Sequence, residues 1–389
     1  MKKQRLLPRL AILLLLSSFT FTNNAYSQFE QVGDILKAGQ ADANKFLEAY
    51  LTPVGRAWGY DLGGGWYNSP ATHKTLGFDV TFSMNFATVP EIDMSFDINE
   101  LGLEKITSAT AGNEFPTVTN GNEDDFNSIE ITETLTRTVD LPGGGEQTFS
   151  EEYQVLPPTD IKGFDIPVIS GIPLPTLNAG IGIIKNTELV ARFIPTVGIG
   201  DFGNIGLWGI GVKHDILQWI PVVKKFPFLK ASAFAGYTTM NLGIDIPYTP
   251  PEVDDPAGYE NPENQRFEST LSAFHGALLV GAKLPVVTPY LSLGITKSQF
   301  DMNVLGEFAL PKPQTVYDQN DVPTGIETTL DADDDQYTLQ DPVSISISNK
   351  LNPSVGAGVR VKLAVITLYG QYTVQEYPMI SGGLGVSFR

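Results

Sequence analysis

Apolar and polar residues alternate through much of the C-terminal half of the chain. Between Ser354 and Leu363 every odd position is apolar, whereas the even positions hold serine, glycine, Arg360 and Lys362. A period of two indicates a β-strand whose two faces meet different environments. An apolar face opposite a glycine-rich and basic face is typical of a wall between lipid and a lumen. The pattern therefore predicts transmembrane β-strands.

This hairpin pattern recurs along the chain. A glycine-rich strand with a basic residue, a short turn and a second strand are predicted over 209–236, 276–294 and 354–377, and a related hairpin over 178–195. Long polar segments join the other strand ends, namely Asn113–Asn127, Tyr248–Gln265 and Leu310–Gln340. Short turns at one end and long loops at the other are the asymmetry of outer-membrane barrels. The sequence predicts an all-β fold, an antiparallel transmembrane β-barrel of about 12–14 strands, with an even number expected.

The N-terminal part of the chain does not show this alternation of apolar and polar residues. Residues 1–27 combine a basic start, a short apolar run and small residues before a cut after Ser27, which is the layout of a secretory signal peptide. Apolar residues then recur at helical spacing between Val32 and Leu51, and Pro53 is expected to end the helix. Residues 28–54 are predicted to be a helical segment that plugs the barrel or caps its periplasmic mouth. An equal alternative is that the helix packs as a lid and has no role in gating. Residues 55–389 are predicted to form the barrel, and 75–86 alternate as its first clear strand.

Three further segments carry expectations about the barrel. The apolar but proline-rich stretch Ile166–Pro175 is not expected to be a central paired strand, and it could line a hydrophobic access route. The last strand alternates through Leu384, Val386 and Phe388, which resembles the terminal strand that outer-membrane proteins offer to the barrel assembly machinery. Several aromatic residues are candidates for interfacial girdles, with core packing as the alternative: Trp208, Trp219, Tyr237, Tyr290, Tyr369 and Tyr372.

Composition narrows the class of protein. The 389 residues include 25 Lys and Arg, 44 Asp and Glu and no cysteine, for a net charge of −19. Loss of residues 1–27 would remove four bases and no acids, which leaves −23. A chain this acidic is a poor partner for nucleic acid, because it repels phosphate. The absence of cysteine excludes disulfides, thiolate chemistry and cysteine-ligated zinc.

Residues suited to catalysis or metal binding give weak patterns. The three histidines, His73, His214 and His275, form no metal-binding pair, and the Ser272–His275 spacing places the two side chains on opposite faces of a strand. The acidic runs Asn120–Asp125 and Asp331–Asp335 could bind Ca²⁺, but solvated loop charge is the plainer interpretation. The sequence therefore nominates no catalytic, cofactor-binding or metal-ligating residue, and no enzyme activity is expected.

Four motifs resemble those of an uncharacterised outer-membrane β-barrel family of Bacteroidetes-type bacteria. They are LEAYLTP at 47–53, GGGWYN at 63–68, HKTLGFD at 73–79 and GLWGIGVKHD at 206–215. The resemblance extends over nearly the whole mature chain and implies no established activity or active-site residue. The layout, an N-terminal helical segment followed by strands, is more loosely similar to FadL-type long-chain fatty-acid channels.

The expected location is the bacterial cell outer membrane, and three functions remain open. The first is a channel or transporter for a small molecule, which could be hydrophobic. The second is a surface adhesion or assembly barrel with a closed lumen that acts through its acidic loops. The third is a secreted soluble β-protein. The expected partners are outer-membrane lipid, lipopolysaccharide, the assembly machinery through the C-terminal strand and a small hydrophobic ligand, but no nucleic acid.

Overall fold

The structure is a computed structural model that describes residues 33–121, 127–161, 171–198, 203–220, 226–246, 265–330 and 336–388. Its main helix, α1, spans Gln40–Gly63 and contains Pro53. The prediction that Pro53 ends the helix is therefore wrong. A proline removes one helical hydrogen bond, but packing on both sides of it continues, since Leu51, Gly55, Ala57 and Gly59 are all buried. Among the described residues no helix is both long and apolar enough to cross a membrane.

In the described part of the chain, twenty strands follow the helix. They are β1 (Phe78–Ala87), β2 (Ser95–Asp97), β3 (Ile106–Ser108), β4 (Glu114–Pro116), β5 (Asn127–Asp140), β6 (Glu146–Ile161), β7 (Ile172–Ile183), β8 (Thr187–Gly198), β9 (Gly203–Asp215), β10 (Leu229–Asp245), β11 (Arg266–Ala282), β12 (Val287–Leu305), β13 (Glu307–Ala309), β14 (Lys312–Tyr317), β15 (Pro323–Thr329), β16 (Thr338–Gln340), β17 (Val343–Ser348), β18 (Asn352–Leu363), β19 (Ile366–Val374) and β20 (Met379–Phe388).

Ten of these strands close into an antiparallel barrel. Their order around the wall is β1, β7, β8, β9, β10, β11, β12, β18, β19 and β20, and β20 pairs with β1 to complete the circle. Strand β17 pairs with residues 299–304 of β12, in line with β18, which pairs with residues 287–296. The predicted antiparallel barrel and its even strand number are confirmed, but the predicted 12–14 strands are too many. The surplus segments pair with one another in small separate sheets instead.

The two ends of the barrel differ. One end, called the turn rim, holds the β7–β8, β11–β12 and β18–β19 turns, the longer β9–β10 connection, the start of β1 and the end of β20. The predicted hairpins and the common side of their turns are confirmed. The other end, called the loop rim, carries the connections after β1 and β12, which form β2 to β6 and β13 to β16. These two connections, residues 91–161 and 306–342, are called the cap.

The two faces of the wall have opposite character. On the outer face every barrel strand exposes a large apolar side chain, for example Phe78, Ile181, Leu189, Ile210, Tyr237, Leu278, Leu291, Val355, Leu368 and Leu384. On the inner face every strand buries a polar one, for example Ser83, Asn178, Arg192, Lys213, Thr238, His275, Ser292, Ser354, Thr373 and Ser381. In a soluble protein, by contrast, the exposed surface is mainly polar and the buried interior is mainly apolar.

The aromatic residues predicted to form girdles divide between the two faces. Trp208, Trp219, Tyr237 and Tyr372 are exposed, but Tyr290 and Tyr369 are buried. The girdle interpretation is therefore wrong for Tyr290 and Tyr369, because the strand register turns both side chains into the lumen.

The proline-rich stretch joins the barrel wall, but its described prolines are paired on one side only, as the sequence predicts. Its residues Ile172–Pro175 begin barrel strand β7 and pair with β1, whereas residues 166–170 lie outside the described part of the chain. Strand β8 pairs only with Asn178–Ile183 of β7. Pro173 and Pro175 thus lie where β7 pairs with β1 alone. On the side of β7 that faces away from β1 no strand pairs with these two residues, so a missing N–H group on that side breaks no hydrogen bond between strands.

Candidate functional site

The lumen is filled by the chain's own N-terminal segment. This segment, called the plug, comprises α1 and the irregular residues 64–77 that lead into β1. Near the loop rim, Asp42 of α1 accepts hydrogen bonds from the backbone N–H groups of Glu104, Lys105 and Ile106 in the cap. At the turn rim, His73 lies 3.2 Å from Ser387 Oγ near the end of β20. The plug therefore runs through the barrel from one rim to the other.

A row of glycines brings α1 close to the wall. Gly55, Gly59 and Gly63 follow at spacings of four residues, which places them on one helix face. A Cβ atom at Gly55 would lie 2.9 Å from the Phe300 ring, and one at Gly63 would lie 2.7 Å from a Thr296 methyl. A Cβ at Gly59 would overlap Ser298 Oγ. The absence of side chains here permits direct helix-to-strand contact with β12.

A polar cluster fixes α1 at the loop rim. Tyr60 donates a 2.5 Å hydrogen bond to Glu376, Tyr377 donates a 2.6 Å bond to Asp93, and Arg56 lies 3.7 Å from both carboxylates. Burial, followed by the hydrogen bond to Asp93, raises the pKa of Tyr377 well above its usual value. Its hydroxyl therefore stays protonated and remains a donor.

One buried cation binds the C-terminal end of α1. Arg192 of β8 is 1% exposed and donates to the carbonyl oxygens of Leu62 and Gly64 at 2.9 and 2.7 Å. The last carbonyl groups of a helix have no intrahelical donor and carry partial negative charge. The guanidinium also lies 4.0 Å from the centroid of the Trp66 ring. A wall residue thus caps the plug helix.

Aromatic rings occupy the middle of the lumen, on the side of Arg192 that faces the turn rim. Trp66 and Tyr67 of the plug pack on Phe234 with ring centroids 5.4 and 5.5 Å apart. Tyr67 Oη lies 3.3 Å from His275 Nε2, and His275 Nδ1 lies 2.9 Å from Thr296 Oγ1. His275 therefore binds plug to wall, while Ser272 lies on the other strand face, as its spacing predicts.

A second charged cluster fixes the plug at the turn rim. Glu188 is 3% exposed and receives His73 Nδ1 at 2.8 Å, the His73 backbone N–H at 2.9 Å and Lys213 Nζ at 3.0 Å. Asp79 accepts from Thr81 at 3.2 Å and lies 3.9 Å from His73 Nδ1.

The ligand atoms of His73, Asp79 and Glu188 lie within 4.8 Å of one another. That donor set could hold a metal ion, but hydrogen bonds and the Lys213 ammonium already satisfy Glu188. No sequence pattern predicts this cluster, because Glu188 and Lys213 are distant in the chain from His73 and Asp79. The acidic runs proposed for Ca²⁺ at 123–125 and 331–335 fall outside the described residues.

The plug leaves little open space. In the described part of the lumen, the two best-defined cavities have volumes of about 20 and 10 Å³. The larger is lined by Trp66, Asp79, Glu188 and Lys213, and has room for about one water molecule. Among the described residues, the plug therefore leaves cavities of about the size of a water molecule at these two places.

Fold and site together define a closed ten-stranded antiparallel β-barrel plugged by its own N-terminal helix. The chain belongs to a family of unknown function (DUF6588), whose family model matches residues 1–388. The search of curated proteins finds no significant match.

Solved structures show only a general likeness. The outer membrane transporter YddB from Escherichia coli is 9% identical over 80% of this chain, with a TM-score of 0.26, and the chain covers 44% of that protein. The transport unit of the autotransporter AIDA-I from Escherichia coli is 8% identical over 87% of this chain and 99% of its own, with a TM-score of 0.24. A Rhodopseudomonas blastica porin mutant is 8% identical over 80% of this chain and 99% of its own, with a TM-score of 0.13. Likeness at this level carries no argument about activity.

Proposed function

We propose that the protein is an outer-membrane channel or transporter for a small molecule, closed in this conformation by its plug. The observation that carries the proposal is the passage of residues 40–77 through the lumen. Wall side chains fill the interior of a barrel of about eight strands, but a wider barrel leaves space. Here a separate segment occupies that space, so its displacement would leave a passage lined by the inner wall.

Two features support the outer membrane as the location. The first is the apolar outer face, which would be costly in water and is suited to lipid. The second is the distribution of charge, since the cap sequence, 91–161 and 306–342, holds 25 of the 44 acidic residues and only 3 of the 25 basic ones. The turn rim would then face the periplasm. Outer-membrane lipid and lipopolysaccharide are the partners proposed for the outer face, and the assembly machinery for β20.

The class of the permeating molecule depends on the lining of the passage. The apolar stretch Ile166–Pro175 favours a hydrophobic molecule, but its residues 172–175 are part of the wall. Towards the turn rim the inner wall carries serine, threonine, asparagine and charged residues, whereas towards the loop rim it also carries large apolar side chains such as Leu207, Leu271 and Phe300. The lining therefore offers matching groups to both a small polar molecule and a fatty acid. Binding of palmitate to the purified protein separates the two cases.

A reversible bridge between plug and wall tests the channel. An ideal Cβ at Gly63 lies 3.6 Å from Thr296 Cβ, within the range of about 3.5–4.5 Å found in disulfides. The chain has no cysteine, so the Gly63→Cys/Thr296→Cys variant forms one defined bridge. In planar bilayers we expect this variant to conduct only after reduction, whereas each single variant conducts intermittently under oxidant and reductant alike. Equal behaviour of the bridged and reduced forms would refute a moving plug.

A second candidate function rests on the cap. Its small sheets are ordered by Arg137, which donates to Pro313 O at 2.8 Å across the two connections. A folded and strongly acidic surface could bind a cationic partner while the lumen stays closed. Deletion of 310–340 should then abolish binding of that cationic partner but leave heat-dependent gel mobility unchanged. Loss of conductance without loss of binding would point to the channel instead.

A further inference from the structure

Basic side chains converge on the lumen opening at the turn rim. Strand register brings Lys230 opposite Gly281, two residues before Lys283. Backbone hydrogen bonds join Lys283 N to Phe228 O at 2.7 Å and Lys362 N to Val286 O at 2.8 Å, so neighbouring strands carry these lysines at one level. The group, called the cationic mouth, consists of Lys74, Lys230, Lys283, Arg360 and Lys362.

Among the described residues, the cationic mouth forms no direct ion pair. Across the described ranges, no carboxylate lies within 4.0 Å of the nitrogen atoms of these five residues. The acidic groups at this end have other direct partners, and the charges of Asp79 and Glu188 offset only part of the positive charge at Arg360. Glu188 pairs with Lys213 and His73, Asp79 accepts from Thr81, and Asp215 accepts from the backbone N–H of Leu217.

Arg360 supplies an unused donor to the cluster, whereas Lys362 Nζ donates to Ser387 Oγ at 3.2 Å. The Nε atom of Arg360 is buried and has no hydrogen-bond partner among the described residues, although Arg360 is only 9% exposed. Burial, followed by the charges of Lys230, Arg360, Lys362 and Lys74, lowers the pKa of Lys283. Like charges held together disfavour the ionised form, and an anion between them removes that cost. Charge-assisted bonds from Lys and Arg to phosphate or carboxylate oxygens are the strong kind.

We propose that the cationic mouth is a binding site for an oxyanion, a phosphate or carboxylate group. The site lies at the end of the lumen, and its charge exceeds that of the nearby carboxylates. The inference rests on the proposed function, because it names the group that the transported molecule presents at the periplasmic opening. Either a soluble anion or the headgroup of an anionic lipid would supply this chemistry.

Binding to the full-length protein in nanodiscs tests the site without any measurement of transport. In the first arm the discs contain zwitterionic lipid and inorganic phosphate is titrated by calorimetry. In the second arm the discs contain phosphatidylglycerol, no phosphate is added, and the thermal unfolding midpoint is measured. The variant is Lys283→Gln/Lys362→Gln. The matched control is Lys185→Gln/Lys297→Gln, which removes the same charge from two exposed lysines outside the site. Heat-dependent gel mobility confirms that all proteins are folded.

Phosphate binding that weakens about tenfold or more in the variant but not in the control supports a site for soluble anions, since tenfold corresponds to about 1.4 kcal/mol. Stabilisation by phosphatidylglycerol alone, lost in the variant only, supports a lipid headgroup. Equal responses of variant and control in both arms overturn the proposal. A conductance failure would leave this result unaffected, so the two proposals fail separately.

Discussion

The guanidinium of Arg192 donates a 2.7 Å hydrogen bond to the carbonyl oxygen of Gly64, the residue that follows the plug helix. A barrel strand thereby supplies the cap that the helix sequence lacks, since its last turn contains no basic residue. The wall therefore binds the plug at the C-terminal end of α1, where the helix dipole is negative and cations are favoured.

Replacement of Arg192 by methionine should destabilise the protein. The carbonyl oxygens of Leu62 and Gly64 would lose a buried donor, and an unsatisfied buried polar group costs about 1–3 kcal/mol. The temperature at which heat-dependent gel mobility changes should fall clearly below that of the wild type. Lys185→Met at an exposed turn serves as the control and should leave it unchanged. A similar temperature for both variants would show that the cap is dispensable.

The glycine row predicts a steric way to loosen the plug. Gly59→Leu introduces a side chain where even a Cβ lies only 2.8 Å from Ser298 Cβ. Overpacking typically costs about 1–3 kcal/mol, so the helix should shift and single-channel openings should become more frequent. Glu48→Leu, on the exposed face of the same helix, is the control. The prediction fails if both variants stay as closed as the wild type.

The turn-rim cluster predicts strong coupling between Glu188 and Lys213. Glu188→Gln would leave the Lys213 ammonium, 3% exposed, without its carboxylate. Removal of one partner from a buried pair costs about 3–5 kcal/mol. The double variant Glu188→Gln/Lys213→Met should recover part of that loss. Urea unfolding of both single variants and the double variant gives the coupling, and additive effects would contradict it.

The direction of the plug can be read from surface labelling. Ala41 is exposed at the start of α1 near the cap, whereas Ile184 is exposed in a turn-rim hairpin. Since the chain has no cysteine, Ala41→Cys and Ile184→Cys each give a single reactive thiol. A membrane-impermeant maleimide should label only Ala41→Cys on intact cells, and both after lysis. The reverse pattern would invert the proposed orientation.

The terminal strand predicts a separate role for Phe388 in assembly. Phe388 and Phe78 stack with ring centroids 5.0 Å apart on the outer face where the barrel closes. Phe388→Ala and Phe78→Ala remove the same contact, so their effects on stability should be similar. If β20 is read by the assembly machinery, Phe388→Ala should lower the amount in the outer membrane more. Equal amounts would assign both residues to stability alone.

Local periodicity predicted much of the barrel wall but not its strand count. The alternation around Lys362 and Lys283 depends only on which face of a strand meets lipid, so the hairpins and their turns were predictable. Segments such as β5 and β6 alternate as well, yet they pair in the cap. Nothing local distinguishes them, because the choice of partner depends on distant residues. The end of α1 was mispredicted for the same reason, since packing inside the barrel carries the helix past Pro53.

The antiparallel hairpins, the apolar outer face and the acidic loops are predictable from the amino-acid sequence, because each follows from neighbouring residues and a period of two. That residues 40–77 fill the lumen is seen in the folded barrel and in no local pattern. The folded barrel also brings Arg192 to Gly64, and Glu188 to His73 and Lys213. These contacts join residues that are far apart in the chain. They exist only once β20 pairs with β1 and the barrel closes around the plug.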